Sequence, residues 1–365
     1  MPTPLQCLLL LSSMLGGPLV IADEAGDIGK FNAAYTAYRE YQERGDTELA
    51  VAEARVAFET GRKIFGDHNL NTTTLAYNYG RALIDIGNSE DGRKILQETI
   101  VLYEGYYGRN SPDLIPVLMD LGSANAATSN PRQQKQHYDR ALRLARDHYG
   151  RNSESYGRLL VSAAIGIKDR SLSSTSKKYL LSAYPILLDT PGKENTFTGI
   201  AAFHLARSEI GRNRYRKAEG YLLVALDTFD DPSRPSSPLE LSVHAALVSV
   251  YENLGKSDKA TIHCQAIGRM TPSNDDQDYF PLFRRAPRYP MSALSERKAG
   301  YAIVEFTVDH EGIVRDPVVV EVDGRNLFED ASIEAVSAFR YAPRFIDGKP
   351  IATANVRTKI SFKLE

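Results

Sequence analysis

The feature that most restricts the fold is a glycine that returns every 42 residues. Phe65-Gly66, Tyr107-Gly108 and Tyr149-Gly150 keep that interval, Tyr107 to Ser111 and Tyr149 to Ser153 both read YGRNS, and Gly192 falls on the next multiple. An aromatic followed by glycine at the end of an apolar-periodic run is a helix stop, because glycine enters the left-handed conformation without a Cβ clash. Each period has room for two helices and a turn. The pattern predicts helices over 72–86 and 90–107, with Gly87-Asn88 as the turn between them. Leu75, Tyr79, Ala82 and Leu83 form the apolar stripe of the first, and Ile95, Thr99, Leu102 and Tyr106 that of the second. A preceding pair is expected over 34–43 and 49–65, and later helices over 201–210, 215–229, 239–254 and 256–270. Five or six such pairs should stack as a curved α-solenoid, with a groove lined by the first helix of each pair. Tyr77, Asn78 and Arg81 are the groove candidates for docking a second protein; the alternative is that they are packing or solvent positions. The 20 Tyr and 13 Phe at helical spacing read as repeat core.

From about residue 280 the texture changes from helical to alternating. In Tyr301 to Val308, Ala302, Val304, Phe306 and Val308 take one side and Tyr301, Ile303, Glu305 and Thr307 the other, the period of a strand. Asp309 to Gly312 supply a turn, and Ile313 to Val322 continues apolar at Val318, Val320 and Val322, so an antiparallel pair is expected. Ala331, Ser332, Ala335, Val336 and Phe339 form the stripe of a helix closed by Pro343. After a turn at Gly348 and Pro350, Val356, Thr358, Ile360, Phe362 and Leu364 alternate with Asn355, Arg357, Lys359, Ser361 and Lys363 in a last strand. The unit reads β-β-α-β, a helix on a three-stranded sheet. Such a sheet has two edges whose unpaired backbone groups can accept another strand. Arg357, Lys359 and Lys363 on the last strand fit either a protected edge or one that discourages self-pairing while receiving a chosen peptide.

Two resemblances follow from these residues. Pro287-Arg288-Tyr289-Pro290 with Ala293, then Gly300 to Phe306, Gly312-Ile313-Val314, Phe339-Arg340-Tyr341-Ala342-Pro343, Gly348-Lys349-Pro350 and the closing strand resemble the C-terminal domain of TonB-type energy transducers. The helix-ending tryptophan usual there is replaced by Tyr341 or Phe339, since the chain has no Trp. The 42-residue period is similar to tetratricopeptide repeats of the longer kind, as in kinesin light chains. The chain is therefore read as mainly α, a TPR-like solenoid followed by a small α+β TonB-type domain. The boundaries are 1–22 signal peptide, 23–270 repeats, 271–279 linker and 280–365 C-terminal domain. The TonB resemblance implies a periplasmic domain that accepts, by strand addition, an extended segment of an outer-membrane TonB-dependent transporter. The residues implicated are Tyr289, Pro290, Asn355, Val356, Arg357, Thr358, Lys359, Ile360, Ser361 and Phe362. The repeat groove would hold another envelope protein, and an edge strand also allows a homodimer.

Residues 1–22 form an apolar run broken by Gly16, Gly17 and Pro18, with Val20 and Ala22 where a signal peptidase requires small residues. Cleavage before Asp23 into the periplasm is the expectation. No Lys or Arg precedes the run, and as a helix Leu5 to Ala22 would extend about 27 Å, which keeps an uncleaved inner-membrane anchor facing the periplasm as the alternative. TonB-type transducers carry a membrane helix with a histidine and a proline-rich span. Here no histidine precedes His68 and the 18 prolines are scattered, so the resemblance supports binding without force transmission by this chain alone.

The net charge of −2 and a balance of 13 basic against 12 acidic residues from 280 onward give no field for a nucleic acid. The seven histidines form no HExxH, His263-Cys264 are adjacent and point to different helix faces, and Cys264 reads as packing. No GxSxG, phosphate loop or dinucleotide fingerprint occurs, and Asp275, Asp276 and Asp278 lie in the polar linker. No enzyme activity, metal or cofactor is expected. The competing functional reading is a periplasmic TPR scaffold in envelope assembly whose C-terminal domain is a structural cap.

Overall fold

The computed structural model describes residues 22–189, 196–230, 236–271, 279, 281–323 and 327–364. Most of the signal segment, Gly192 and most of the polar linker lie outside them. The chain divides into two compact units, one ending at Arg151 and including Gly166–Ser174, the other formed by Asn152–Ile165 and everything from Thr175 onward.

The first unit holds three antiparallel helix pairs: α1 (Ala22–Arg44) with α2 (Thr47–Phe65), α3 (Leu70–Asp85) with α4 (Ser89–Tyr107), and α5 (Ile115–Ala127) with α6 (Pro131–Tyr149). The repeating glycines do what their spacing predicts: Gly66, Gly108 and Gly150 end α2, α4 and α6 at φ of 84°, 83° and 92°. A second series of left-handed residues lies in the turns inside the pairs, at Gly45, Gly87, Ser129, Asn213 and Gly255. These too are 42 or 84 apart, and only three of the five are glycine, which is why glycine counting misses the series. The residue after each closes the turn in the same way in four cases, its N–H donating to the carbonyl five residues back: Asp46 to Tyr41, Asn130 to Asn125, Arg214 to Glu209 and Lys256 to Tyr251. At Ser171 a 3₁₀ turn over Arg170–Leu172 takes the place of the motif. Asn88 and Asn130 cap α4 and α6 by accepting backbone N–H groups. The helices of a pair approach closely where one side is glycine: a Cβ on Gly92 would stand 2.6 Å from the Gly80 carbonyl oxygen.

The second unit holds α7 (Glu154–Gly166) and α8 (Ser173–Leu188) apart from Gly166, Ser173 and Ser174, then α9 (Thr196–Ile210) and α10 (Tyr215–Phe229), and α11 (Pro238–Asn253) and α12 (Ser257–Met270). Among the described residues there are thus six helix pairs. A short α13 (Met291–Ser295) precedes β1 (Gly300–Val308), β2 (Val314–Asp323), α14 (Glu329–Ser337), β3 (Arg344–Ile346), β4 (Lys349–Ile351) and β5 (Thr353–Phe362). The three-stranded sheet has the order β2-β1-β5, with both neighbours antiparallel to β1. Ala302, Val304, Phe306 and Val308 of β1 are buried with Val356, Ile360 and Phe362 of β5 against Ala335, Val336 and Phe339 on and after α14.

Three details correct the sequence reading. α14 stops at Ser337, well before Pro343, and beyond it Arg340 forms isolated bridges to Phe283 and Ile313. The Gly348-Pro350 turn closes a separate hairpin, β3 with β4. Val318 and Val320 are 52% and 46% exposed, because β2 shifts register against β1 between Ile303 and Val304 and again between Glu305 and Thr307. Each extra residue turns the following side chains to the other face, so Val319 joins the core instead.

Candidate functional site

The two edges of the sheet differ. β2 carries Pro317, which has no N–H to offer, the left-handed Asp316 and the two register shifts, all of which spoil it as a template. β5 pairs only with β1 among the described residues. It bends once, at the left-handed Asn355, and then runs in unbroken register from Val356 to Phe362. Seven residues at about 3.3 Å each present roughly 23 Å of regular edge.

The side chains of β5 are committed elsewhere. Val356, Ile360 and Phe362 are buried in the domain core, and Thr358 is half-buried. Arg357 donates through Nε to Glu305 Oε2 at 2.7 Å, and Lys359 Nζ stands 3.5 Å over the Tyr301 ring, whose hydroxyl donates to Glu321 at 2.6 Å. Both cations therefore lie over the sheet's outer face, bound to the adjacent strand and not across the outer edge of β5. Tyr289 is a support of the strand's end: its ring meets Phe362 and Phe328 edge-on at 5.7 and 6.1 Å, and its hydroxyl donates to the Lys298 carbonyl at 2.6 Å. Pro290, which fixes φ, starts α13.

In the first unit, α3 and α5 are joined by Tyr77, whose hydroxyl donates to Asp120 Oδ2 at 2.8 Å. Burial, reinforced by Asp120, pushes the Tyr77 hydroxyl well above its ordinary pKa, and burial likewise raises the Asp120 carboxyl against the pull of the Tyr77 hydrogen bond. Arg81, one turn on, is exposed at the edge of a cavity of about 440 Å³ that Arg39 and Gln42 of α1 and Asp85 of α3 also line. Its charge is favoured by Tyr77, Asp120 and Asp85 despite the cost of burial. Asn78 is half-buried beside them. Of the three groove candidates, then, Tyr77 is a packing residue between first helices and Arg81 faces the open space.

Sequence reasoning missed two clusters because each is assembled from distant residues. His244 of α11 and His263 of α12 pair ring to ring at 2.8 Å, and burial holds both below the usual imidazole range. No group of three ligating side chains that could hold a metal occurs among the described residues. Arg340 reaches Glu252 at 2.6 Å. Cys264, beside His263, is buried, and burial pushes its thiol up to about 12.

The fold is a series of paired-helix repeats of TPR-like type followed by a small sheet domain whose β5 edge is the more regular of the two. Residues 285–364 match the family described as Gram-negative bacterial TonB protein C-terminal, so the sheet domain is of that type. The helical region is similar in fold to the apo form of the quorum sensor NprR from B. thuringiensis, at 13% identity over 70% of this chain and 68% of that one, with a TM-score of 0.51. It is also similar to the apo form of RapI, at 14% identity over 69% of this chain and 78% of that one, again with a TM-score of 0.51. No curated protein matches the chain. No described helix is long and apolar enough to cross a membrane.

Proposed function

We propose that this chain is a periplasmic adaptor in which the β5 edge accepts an extended segment of an outer-membrane TonB-dependent transporter, while the repeats dock a second envelope protein. The observation that carries the reading is the asymmetry of the sheet: β2 is spoiled by Pro317, Asp316 and two register shifts, and β5 is regular from Val356 to Phe362. Strand addition draws its affinity from backbone groups, and the engagement of Arg357 with Glu305 and of Lys359 with Tyr301 leaves those groups accessible. Export by cleavage after Ala22 belongs to the same proposal, with an inner-membrane anchor as its alternative; intact mass of the native protein separates them. The binding test is a titration with a peptide copying a transporter's TonB-box segment. Amide shifts concentrated in Val356–Phe362 support the proposal, and an unchanged spectrum at millimolar peptide overturns it.

The scaffold reading has its own support, since Leu282 and Phe283 pack on the core of the last helix pairs as a cap would. It expects removal of 280–365 to leave the repeats' partners unchanged.

A further inference from the structure

Arg340 belongs to the stretch Phe339 to Pro343 of the TonB-type domain, yet its side chain leaves that domain. Nε donates to Glu252 Oε1 at 2.6 Å and Nη2 to the Ser257 carbonyl at 3.2 Å. Glu252 lies at the end of α11 and Ser257 begins α12, so one guanidinium clasps the turn of the last helix pair. Both partners are out of water, with side-chain exposures of 6% for Arg340 and 11% for Glu252. The backbone of the same residue holds the chain that enters the domain. Its N–H donates to the Phe283 carbonyl at 3.1 Å, and its own carbonyl accepts from Leu282 at 2.7 Å and Phe283 at 3.3 Å.

The surroundings are packed to backbone contact. A Cβ on Gly312 would come 2.1 Å from the Tyr341 carbonyl oxygen and 3.3 Å from the Cys264 Cβ, and one on Gly268 of α12 would come 2.2 Å from the Pro343 carbonyl oxygen. Gln265 adds a hydrogen bond to the His310 carbonyl at 3.2 Å. A domain free on a tether makes small, polar contacts with its neighbour. This seam has a desolvated ion pair, and breaking such a pair from one side leaves a buried charge with no partner.

We propose that Arg340 and Glu252 form a latch that fixes the TonB-type domain to α11 and α12 as one rigid body. A strand held at the β5 edge then bears on the helix pair through the guanidinium and not through the covalent connection alone. The latch itself is independent of what binds β5; only the load it would carry rests on the proposed function.

The test uses the full chain without a peptide, so its failure is distinct from failure of the transporter reading. Amide ¹⁵N relaxation of β1 and β5 should give the same rotational correlation time as that of α11 and α12, and Cys264, followed by mass mapping, should resist maleimide. In Glu252→Ala the sheet amides should report a shorter correlation time than those of α11 and α12 while staying protected from exchange, and Cys264 labelling should accelerate roughly hundredfold. Two correlation times in the unaltered protein overturn the latch, as does a Glu252→Ala variant unchanged in both readouts. Should Glu252→Ala unfold the helix pair, Arg340→Lys replaces it: lysine keeps the charge but not the fork that reaches Glu252 and Ser257 together. A labelling rate unchanged by Arg340→Lys also overturns the latch.

Discussion

His244 and His263 face each other Nδ1 to Nδ1 at 2.8 Å, so that one ring donates the proton and the other accepts it. The pair joins α11 to α12. Tyr251 stacks on His263 at 5.6 Å with an interplanar angle of 9°. Asp230 favours protonation of His244 and Arg269 opposes it, but burial dominates and both rings are held in the neutral form.

That arrangement makes the last helix pair acid-sensitive. His263 has its pKa lowered to about 4 in the folded chain, against about 6.5 when unfolded. Between those values the unfolded state binds more protons, so stability rises with pH there. It is complete above about 6.5 and lost as pH falls toward 4, by about 2–3 kcal/mol for this group. Urea unfolding at pH 7 and 4.5 checks it: the drop should be smaller in His263→Gln than in the unaltered protein.

The left-handed turn series predicts a stabilising substitution. Ser129 holds φ of 55° where Gly45, Gly87 and Gly255 stand in the equivalent turns. An L-residue there costs about 1–2 kcal/mol relative to its preferred conformation. Ser129→Gly should therefore raise stability by about 1 kcal/mol after the extra freedom of glycine in the unfolded chain is subtracted. Gly87→Ala should lower it. Thermal melts of the two variants should move in opposite directions.

Glycines inside α4 should behave in opposite ways. At Gly92 a Cβ meets the Gly80 carbonyl oxygen at 2.6 Å and the Ile84 side chain at 2.7 Å, and the backbone contact cannot rotate away. Gly92→Ala should cost about 1–3 kcal/mol by forcing α3 from α4. Gly105 has nothing within 4 Å of the same position, so Gly105→Ala should gain about 0.5–1 kcal/mol from helix propensity. Equal effects in denaturant titrations would contradict the close approach.

Arg357 and Lys359 are bound across the sheet, so their loss should matter little to a strand added at the edge. Arg357→Ala and Lys359→Ala should each change the affinity for a TonB-box peptide by less than about fivefold, the scale of one exposed ion pair. A loss of a hundredfold, measured by calorimetry, would mean that side-chain charge and not the β5 backbone makes the site.

The sequence by itself determined what is local or periodic. A 42-residue interval between helix-ending glycines needs only φ preferences and helix length, and with apolar periodicity it placed α3, α4, α10 and α12 within about two residues, whereas α1 starts at Ala22 and α9 at Thr196, ahead of the expected 34 and 201. The alternation in β1 and β5 is likewise a property of neighbours along the chain, and so is the TonB-type motif order. The turn series through Ser129 and Asn213 is periodic as well, but serine and asparagine enter left-handed turns too seldom to mark them alone. What only the tertiary structure decided depends on which distant atoms meet. Whether Val318 or Val319 points inward was fixed by bulges that exist only in the pairing of β2 with β1. The sheet order made β2 and β5 the two edges, and the fate of Arg357 followed from Glu305 opposite it on β1 and that of Lys359 from Tyr301, two positions along β1 from its own partner Ile303. His244 with His263 and Arg340 with Glu252 are separated by 19 and 88 positions, and no period or propensity connects them. Burial gives such pairs their energies, since a hydrogen bond or charge gains its weight from the water that packing removes.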